Sequence, residues 1–198
     1  MQKLFIVVVA CLSLSFASGC FVPRDFTAKL DIKQDGAYTF DYEGNLYSLV
    51  MYGESQSGEW SADKEKEFSD EFLSMFKDTP NIKSASYVGD NLFKVTFQAT
   101  GNVHDDPMYM LERDVQLFSL AKDDEDDSVV FMFMNIDTDE MERSGLPPEA
   151  FVANGTIEVV SALPLESSQG NPTVSGSKYS WKMEKIGPDM PKLVFKLQ

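Results

Sequence analysis

The pattern of apolar and polar positions predicts a β-hairpin at the start of the folded region. Leu30 and Ile32 alternate with charged neighbours, and residues 38–42 repeat this alternation with three aromatic side chains. Alternation with a period of two places the apolar side chains on one face of a strand. The Asp-Gly pair at positions 35–36 is typical of the tight turn that joins two such strands. A second turn is predicted at residues 43–45, Glu-Gly-Asn, before the apolar run 46–52.

One amphipathic helix is predicted over residues 61–78. Ser61 suits the N-cap, and Asp63 in the first turn complements the helix dipole. Four large apolar residues follow at helical spacing: Phe68, Phe72, Met75 and Phe76. Because the spacing places them on one face, we expect this face to pack against the core rather than hold a ligand.

The remainder of the chain is rich in strand signals. Strands are predicted at 84–88, 92–100, 115–122, 127–135, 156–165, 178–186 and 191–198, with a loop at 101–114, an acidic hairpin tip at 123–127 and an acidic connection at 136–150. The order of elements predicts an α+β fold, a mostly antiparallel sheet of about eight strands with one main amphipathic helix.

The strand at residues 129–136 is apolar at both phases of the alternation until Asn135. A strand with one solvated face should carry a polar residue at every second position, so both faces of this strand need cover. One interpretation is a central strand that lies under the helix with a second sheet layer behind it. The other is an apolar cavity that takes a lipid or another hydrophobic ligand, because methionine suits an adaptable pocket. The ligand-binding residues would then be Phe131, Met132, Phe133 and Met134.

The charge balance excludes one class of partner. Seventeen basic residues stand against 32 acidic ones, which gives a formal net charge of −15. Nucleic-acid binding needs a basic patch that releases counterions, so we expect no nucleic-acid partner. The same charge disfavours electrostatic attachment to anionic lipids.

The first twenty residues resemble a bacterial lipoprotein signal peptide. Lys3 precedes the mostly apolar segment Leu4 to Ala17, which is shorter than the roughly 20 residues of a membrane-spanning helix. Small residues at positions 17–19 stand directly before Cys20, as in the lipobox, where the cysteine is acylated before cleavage. The usual Leu three residues upstream is Ala17 here. An ordinary signal peptide is the alternative, but it leaves Cys20 as an unpaired thiol in an oxidising compartment.

Lipidation of Cys20 predicts a division of the chain into a signal peptide at 1–19, a short membrane tether at 20–25 and a single α+β domain at 26–198. Acyl chains on Cys20 would make the membrane its first partner. Phe21 stands where Gram-negative lipoproteins that stay in the inner membrane often have Asp. The resemblance therefore implies that the protein is anchored in the bacterial cell envelope. In a Gram-negative bacterium the expected location is the outer membrane, on its periplasmic or its surface side.

No catalytic constellation stands out in the sequence. His104 is the only histidine, in a His-Asp-Asp-Pro segment that predicts a surface loop, and no phosphate-binding glycine motif occurs. We therefore expect no enzyme activity, no cofactor and no metal. The acidic runs at 123–127 and 137–142 leave calcium binding open as a minor alternative, although the EF-hand spacing is absent. Paired carboxylates for sugar hydrolysis are a second minor alternative.

Both ends of the chain resemble the bacterial LppM-like lipoprotein domain family. The residues that carry this resemblance are Asp35-Gly36, Asn154-Gly155 and the segment from Gly176 to Trp181. The resemblance covers about a third of the chain and implies an α+β domain on a lipoprotein anchor, with lipid binding rather than catalysis. It transfers no functional residue to this sequence, and PKLVFKLQ is too short for a C-terminal membrane helix.

Two function hypotheses follow from the sequence. The first is a non-enzymatic, lipid-anchored envelope protein that binds a hydrophobic ligand or a protein partner at the membrane surface. The second is a structural or assembly lipoprotein without a small-molecule ligand, which uses a strand edge or its acidic surface to bind another envelope protein.

Overall fold

The fold is seen in a computed structural model. It describes residues 21–56, 58, 60–111, 117–123, 127–134, 146–187 and 189–197. The helices are α1 (Leu49–Ser55) and α2 (Ala62–Asp78), with a short 3-10 helix at Pro148–Phe151. The strands are β1 (Phe21–Ile32), β2 (Ala37–Ser48), β3 (Ile82–Gly89), β4 (Leu92–Asn102), β5 (Met108–Met110), β6 (Phe118–Lys122), β7 (Ser128–Phe133), β8 (Val152–Ser161), β9 (Leu165–Gln169), β10 (Thr173–Ser175), β11 (Lys178–Lys185) and β12 (Lys192–Lys196).

The strands of the described residues form two sheets, which confirms the α+β class and corrects the single sheet of about eight strands. The large sheet has seven strands in the order β10-β11-β8-β1-β2-β4-β3, and the small sheet has five in the order β5-β6-β7-β12-β9. All pairs are antiparallel except β1 with β8. The short strands β5, β9 and β10 were not predicted, because three to five residues give too little alternation to recognise.

Helix α2 and the small sheet both pack on the same face of the large sheet. Alternation along β4 turns Phe93, Val95 and Phe97 to the same side, and all three are fully buried. Phe93 packs against helix α2, whereas Phe97 contacts Phe40, which packs on the small sheet. We call the end of the large sheet where β1 begins the proximal end and the opposite end the distal end. Helix α2 therefore covers the proximal end, and the small sheet covers the rest.

Helix α2 confirms the predicted helix and its cap. The Ser61 side chain accepts a hydrogen bond from the backbone N–H of Lys64, and the helix ends at Asp78. Phe76 is fully buried. Met75 is 37% exposed, however, so its expected place in the packed face was wrong. The buried Ser69 lies seven residues before Phe76, and hence on the same side of the helix, so the centre of the face is rotated away from Met75.

The turn predicted at residues 43–45 does not exist. Strand β2 continues through these residues and pairs with β4 at each of them. Gly44 is needed here for space, since a Cβ atom at this position would lie 2.3 Å from the Cβ of Phe26. The chain turns later, at Ser48, whose side chain caps helix α1 by accepting from the Met51 N–H. The apolar run 46–52 is thus the end of a strand followed by the start of a helix.

Residues 21–25, which were expected to form most of the tether, lie inside the fold. Strand β1 begins at Phe21, which is opposite Ser48 on β2, and Phe21 and Val22 are 2% and 0% exposed. The Phe21 ring packs against Phe72 and Phe76 of helix α2. Because residues 21–24 pair with β2 and residue 25 continues the same strand, residues 21–25 belong to the domain rather than to a separate tether.

Candidate functional site

The four residues predicted to line a ligand cavity do not point the same way. Phe131 and Phe133 are fully buried on the side of β7 that faces the large sheet. Met132, between them, lies on the opposite side and is half-buried. Met134 follows the strand, 6% exposed, with a left-handed φ of 28°. The helix expected to cover this strand packs on the proximal end of the large sheet instead.

The space in front of Phe131 and Phe133 is filled by aromatic rings. The Phe118 ring lies 4.8 Å from Phe133 and 6.2 Å from Phe131, measured between ring centroids. From the large sheet, Phe26 contacts Phe133 at 5.8 Å, and Phe40 contacts Phe118 at 5.2 Å. Such distances are those of packed aromatic pairs, so a ligand at Phe131 and Phe133 has to displace rings.

Phe26 holds the centre of this cluster because of two glycines. Its ring lies over β8, where a Cβ at Gly155 would be 2.1 Å from a ring atom. Its Cβ lies against β2, where a Cβ at Gly44 would be 2.3 Å away. The pairing of β1 with β2 is interrupted between Arg24 and Thr27, and Asp25 has a left-handed φ of 46°. The bulge turns Phe26 inward, and the Asn-Gly segment of β8 provides space for its ring.

Trp181 carries a polar group that the fold leaves unpaired. The side chain is 6% exposed on β11, opposite Ile157 of β8, and its Nε1–H has no hydrogen-bond acceptor among the residues that the structure describes. Tyr179, two residues earlier and on the same side of β11, contacts Phe195 of the small sheet at 5.9 Å. Trp181 thus faces the interior between the sheets with an unsatisfied donor, which costs about 1–3 kcal/mol.

Arg24 is a half-buried cation on the other side of the large sheet. Its guanidinium carbon lies 3.8 Å from the ring centroid of Tyr47, and Nη2 donates to the Glu149 carbonyl. In the described part of the chain, its buried Nε has no hydrogen-bond partner, and no ion pair includes Arg24. Burial raises the pKa of Tyr47, although a hydrogen bond from Asn91 and the charge of Arg24 oppose the change.

The candidate acid–base and metal groups are dispersed where the structure describes them. His104 is exposed in a turn, as predicted. Lys122 forms a 2.7 Å ion pair with Asp127 at the hairpin tip, and this partner lowers the pKa of Asp127. Within the described ranges, no group of three or more His, Cys, Asp or Glu side chains could hold a metal ion. Residues 124–126 and 135–145, which contain most of the acidic runs, lie outside those ranges.

The anchor predicted at Cys20 also lies outside the described residues, so lipidation stays a prediction. No helix among the residues that the structure describes is long and apolar enough to cross a membrane.

The comparisons with known proteins give likenesses to solved structures alone. No protein-family model matches the chain, and no curated protein matches it. Among solved structures, the chain is similar to the NMR structure of the folded domain of LppM from Mycobacterium tuberculosis. The TM-score is 0.42 and the identity 11%, over 91% of this chain and 92% of that one. LppM gives its name to the family that the sequence resembles, but values this low support no inference about function.

Sequence reasoning missed Phe26, Trp181 and Arg24. Phe26 was visible only as the first apolar residue of a predicted strand, and the two glycines that frame it are more than 100 positions apart. The predicted strand at 178–186 contains Trp181, and the structure confirms this strand, but no neighbouring residue in the sequence indicates that the indole N–H lacks an acceptor. Arg24 was assigned to the tether, where a cation would be solvated. Each of these roles depends on contacts between distant parts of the chain.

Proposed function

We propose that this protein is a non-enzymatic, lipid-anchored protein of the bacterial envelope, whose domain binds a hydrophobic ligand at the membrane surface. The signal-like segment and Cys20 support the anchor. They stand directly before a strand that is paired and buried from its first described residue.

The observation that favours a hydrophobic ligand is the unpaired Nε1–H of Trp181. A single hydrogen-bond donor in an apolar interior is the pattern of sites that bind a lipid through one carbonyl or carboxyl oxygen. Trp181 lies in one register row with Ile157, Ala28 and Tyr42, and Tyr42 contacts Phe118 of the small sheet. A ligand at Trp181 would therefore enter between the sheets at their β11 side and leave the rings around Phe133 in place.

The anchor is tested by mass spectrometry of the full chain purified from a bacterial membrane fraction. We expect a mature N-terminus at Cys20 with a mass increase equal to its acyl groups. An unmodified Cys20, or a different first residue, would contradict the anchor.

The ligand is tested by native mass spectrometry of the same protein and by titration with palmitate and phosphatidylcholine. The variant Trp181→Phe keeps an aromatic ring and removes the donor. We expect it to bind severalfold more weakly, while ligand-free protein stays as stable as the parent because the unsatisfied N–H is gone. Tyr38→Phe is the control, since it also keeps a ring and removes a donor, but at the distal end where the hydroxyl donates to the Asp106 carbonyl, and it should bind normally. Empty protein with no affinity for either lipid would refute the ligand and leave the anchor standing.

Exposed strand edges favour a second function, assembly with another envelope protein. β9 is exposed at all five residues and forms one edge of the small sheet, and Leu165 within it is 38% exposed. Unpaired backbone groups on such an edge can add a strand from a partner. Cross-linking in cells from position 166 on β9 would capture one specific neighbour if this function holds, and none if it does not.

A further inference from the structure

The proximal end of the large sheet carries aromatic side chains with polar tips. These are Tyr47, Tyr52, Trp60 and Tyr87, which we call the aromatic rim. Tyr47 is 7% exposed, and the other three are half-buried. Trp and Tyr with an apolar body and a polar tip are the residues that prefer the boundary between lipid and water.

The rim surrounds the start of β1. Tyr47 lies opposite Val22, and Tyr52 of helix α1 contacts Tyr47 at 6.1 Å. Tyr87 contacts Phe93, and its hydroxyl donates to Glu65 on helix α2 at 2.5 Å.

Trp60 completes the rim from the N-terminal side of helix α2. Its ring packs on Phe68 of helix α2, 5.8 Å away between ring centroids. One turn before Phe68 on this helix, Glu65 accepts the hydrogen bond from Tyr87, and one turn after it Phe72 contacts Phe21. All four rim residues therefore belong to the proximal end, where β1 begins.

The position of Cys20 in the sequence indicates that a lipid surface would lie next to the aromatic rim. One residue separates it from Val22, and the chain spans at most about 3.6 Å per residue. Phe21 is paired with β2 and packed against helix α2, so it cannot act as a flexible linker between Cys20 and the domain. If Cys20 carries acyl chains, the proximal end has to lie against the headgroups. We propose that the aromatic rim and the exposed Val88 beside it lie in the headgroup layer of the bilayer that holds Cys20, an orientation that rests on the proposed anchor.

Charge selects the kind of lipid surface. The described carboxylates near the rim are those of Glu54, Asp63, Glu65 and Asp90, and the described cations are Lys64 and Arg24, which is stacked on Tyr47. Lys66 and Lys94 are each paired with a carboxylate. More carboxylates than cations disfavour an anionic membrane, since nearby charges of one sign repel lipid phosphates that carry the same sign. The surface that fits is zwitterionic, such as phosphatidylcholine, with the acyl anchor and the aromatic side chains supplying the binding.

Two exposed valines form a matched pair for a test. Val88 is 54% exposed and Val174 is 57% exposed. Val88 follows Tyr87, which is in register with Phe93, Leu46 and Pro23, whereas Val174 is in register with Tyr179, Val159 and Leu30. These two rows cross β2 at Leu46 and Phe40, six residues apart, which is about 20 Å along the strand at 3.3 Å per residue. Only Val88 should reach the headgroups.

The experiment uses the full chain with Val88→Cys or Val174→Cys, purified from a bacterial membrane fraction and labelled with a thiol-reactive, environment-sensitive dye. An acylated Cys20 has no free thiol, and Cys11 is removed with the signal, so each variant carries one label. The protein is placed in phosphatidylcholine vesicles with or without a phospholipid that is spin-labelled near its headgroup. We expect quenching of the dye at position 88 to be severalfold stronger than at position 174.

Equal quenching at the two positions, or stronger quenching at position 174, would overturn this orientation. If mass spectrometry then finds Cys20 acylated, the proposed anchor survives that result. An unmodified Cys20 would overturn the orientation and the anchor together, and it would be visible as a second labelled thiol in both variants.

Discussion

The proximal and distal parts of the large sheet bury the same face under different covers. On the small sheet, Phe118 and Phe133 are fully buried, and among the described residues they contact five rings and two rings respectively. Under helix α2, Phe68 and Phe72 are only partly buried, and Met75 is 37% exposed. A sheet covers a face continuously, whereas one helix covers a stripe and leaves its flanks open. Side chains in the distal part should therefore contribute more to the free energy of folding, whereas several apolar and aromatic side chains at the proximal end stay partly exposed to solvent.

The largest expected effect comes from the ring cluster under the small sheet. Phe118→Ala should lower the free energy of unfolding by about 3–5 kcal/mol, because it leaves a cavity among rings that are fixed by two sheets. Phe72→Ala at the proximal end should cost clearly less, since its side chain is already partly exposed. Urea denaturation of both variants measures the difference, and equal losses would contradict the comparison.

A smaller effect is expected where the two parts meet, at the Phe26 bulge. Gly44→Ala should cost about 1–3 kcal/mol, because its new Cβ would clash with Phe26 and shift the ring out of the cluster. Gly53→Ala is the control, since nothing lies within 4 Å of a Cβ there. It should be neutral or stabilise helix α1 by up to about 1 kcal/mol. If both variants unfold alike in urea, the close contact of Phe26 with Gly44 is not what fixes the bulge.

Loss of the α2 cap should weaken the proximal end alone. Ser61→Ala removes the acceptor for the Lys64 N–H and should cost about 1 kcal/mol, whereas Ser61→Thr keeps an acceptor and should cost little. Hydrogen exchange would localise the effect. Faster exchange in helix α2 with unchanged exchange in β6 and β7 is expected, and uniform acceleration would contradict separate behaviour of the two parts.

The smallest effects are expected in alkali. Burial raises the pKa of Tyr38, at the distal end, and of Tyr87, at the proximal end, to about 12 each, with Asp106 adding to the first and the Glu65 hydrogen bond to the second. The folded pKa lies above the ordinary value of 10.0, so both groups contribute stability below pH 10 that is lost as the pH rises toward 12.

Tyrosinate absorbance and urea denaturation between pH 10 and 12 measure this loss. Tyr87→Phe should flatten the pH dependence at the proximal end, and Tyr38→Phe should do so at the distal end. A parent protein with constant stability over this range would show that neither hydroxyl is held in its neutral form by the fold.

The sequence alone determined the local elements. Alternation located the strands of the first hairpin, and the spacing from Ser61 to Phe76 located helix α2 with its cap, because these signals depend on neighbours within a few residues. It also indicated the α+β class. The same local reading failed at Gly44, where glycine serves a contact with Phe26 instead of a turn.

Only the tertiary structure decided how the elements combine. Thr27 meets Thr156 in the parallel pair of β1 with β8, 129 positions apart, and β7 faces a sheet rather than the helix. The unpaired N–H of Trp181 and the aromatic rim around the start of β1 arise in the same way. Periodicity reports which side of an element is apolar, but it contains no information on which distant surface covers that side. That choice is made by packing among all elements at once, so both candidate sites became visible only in the folded chain.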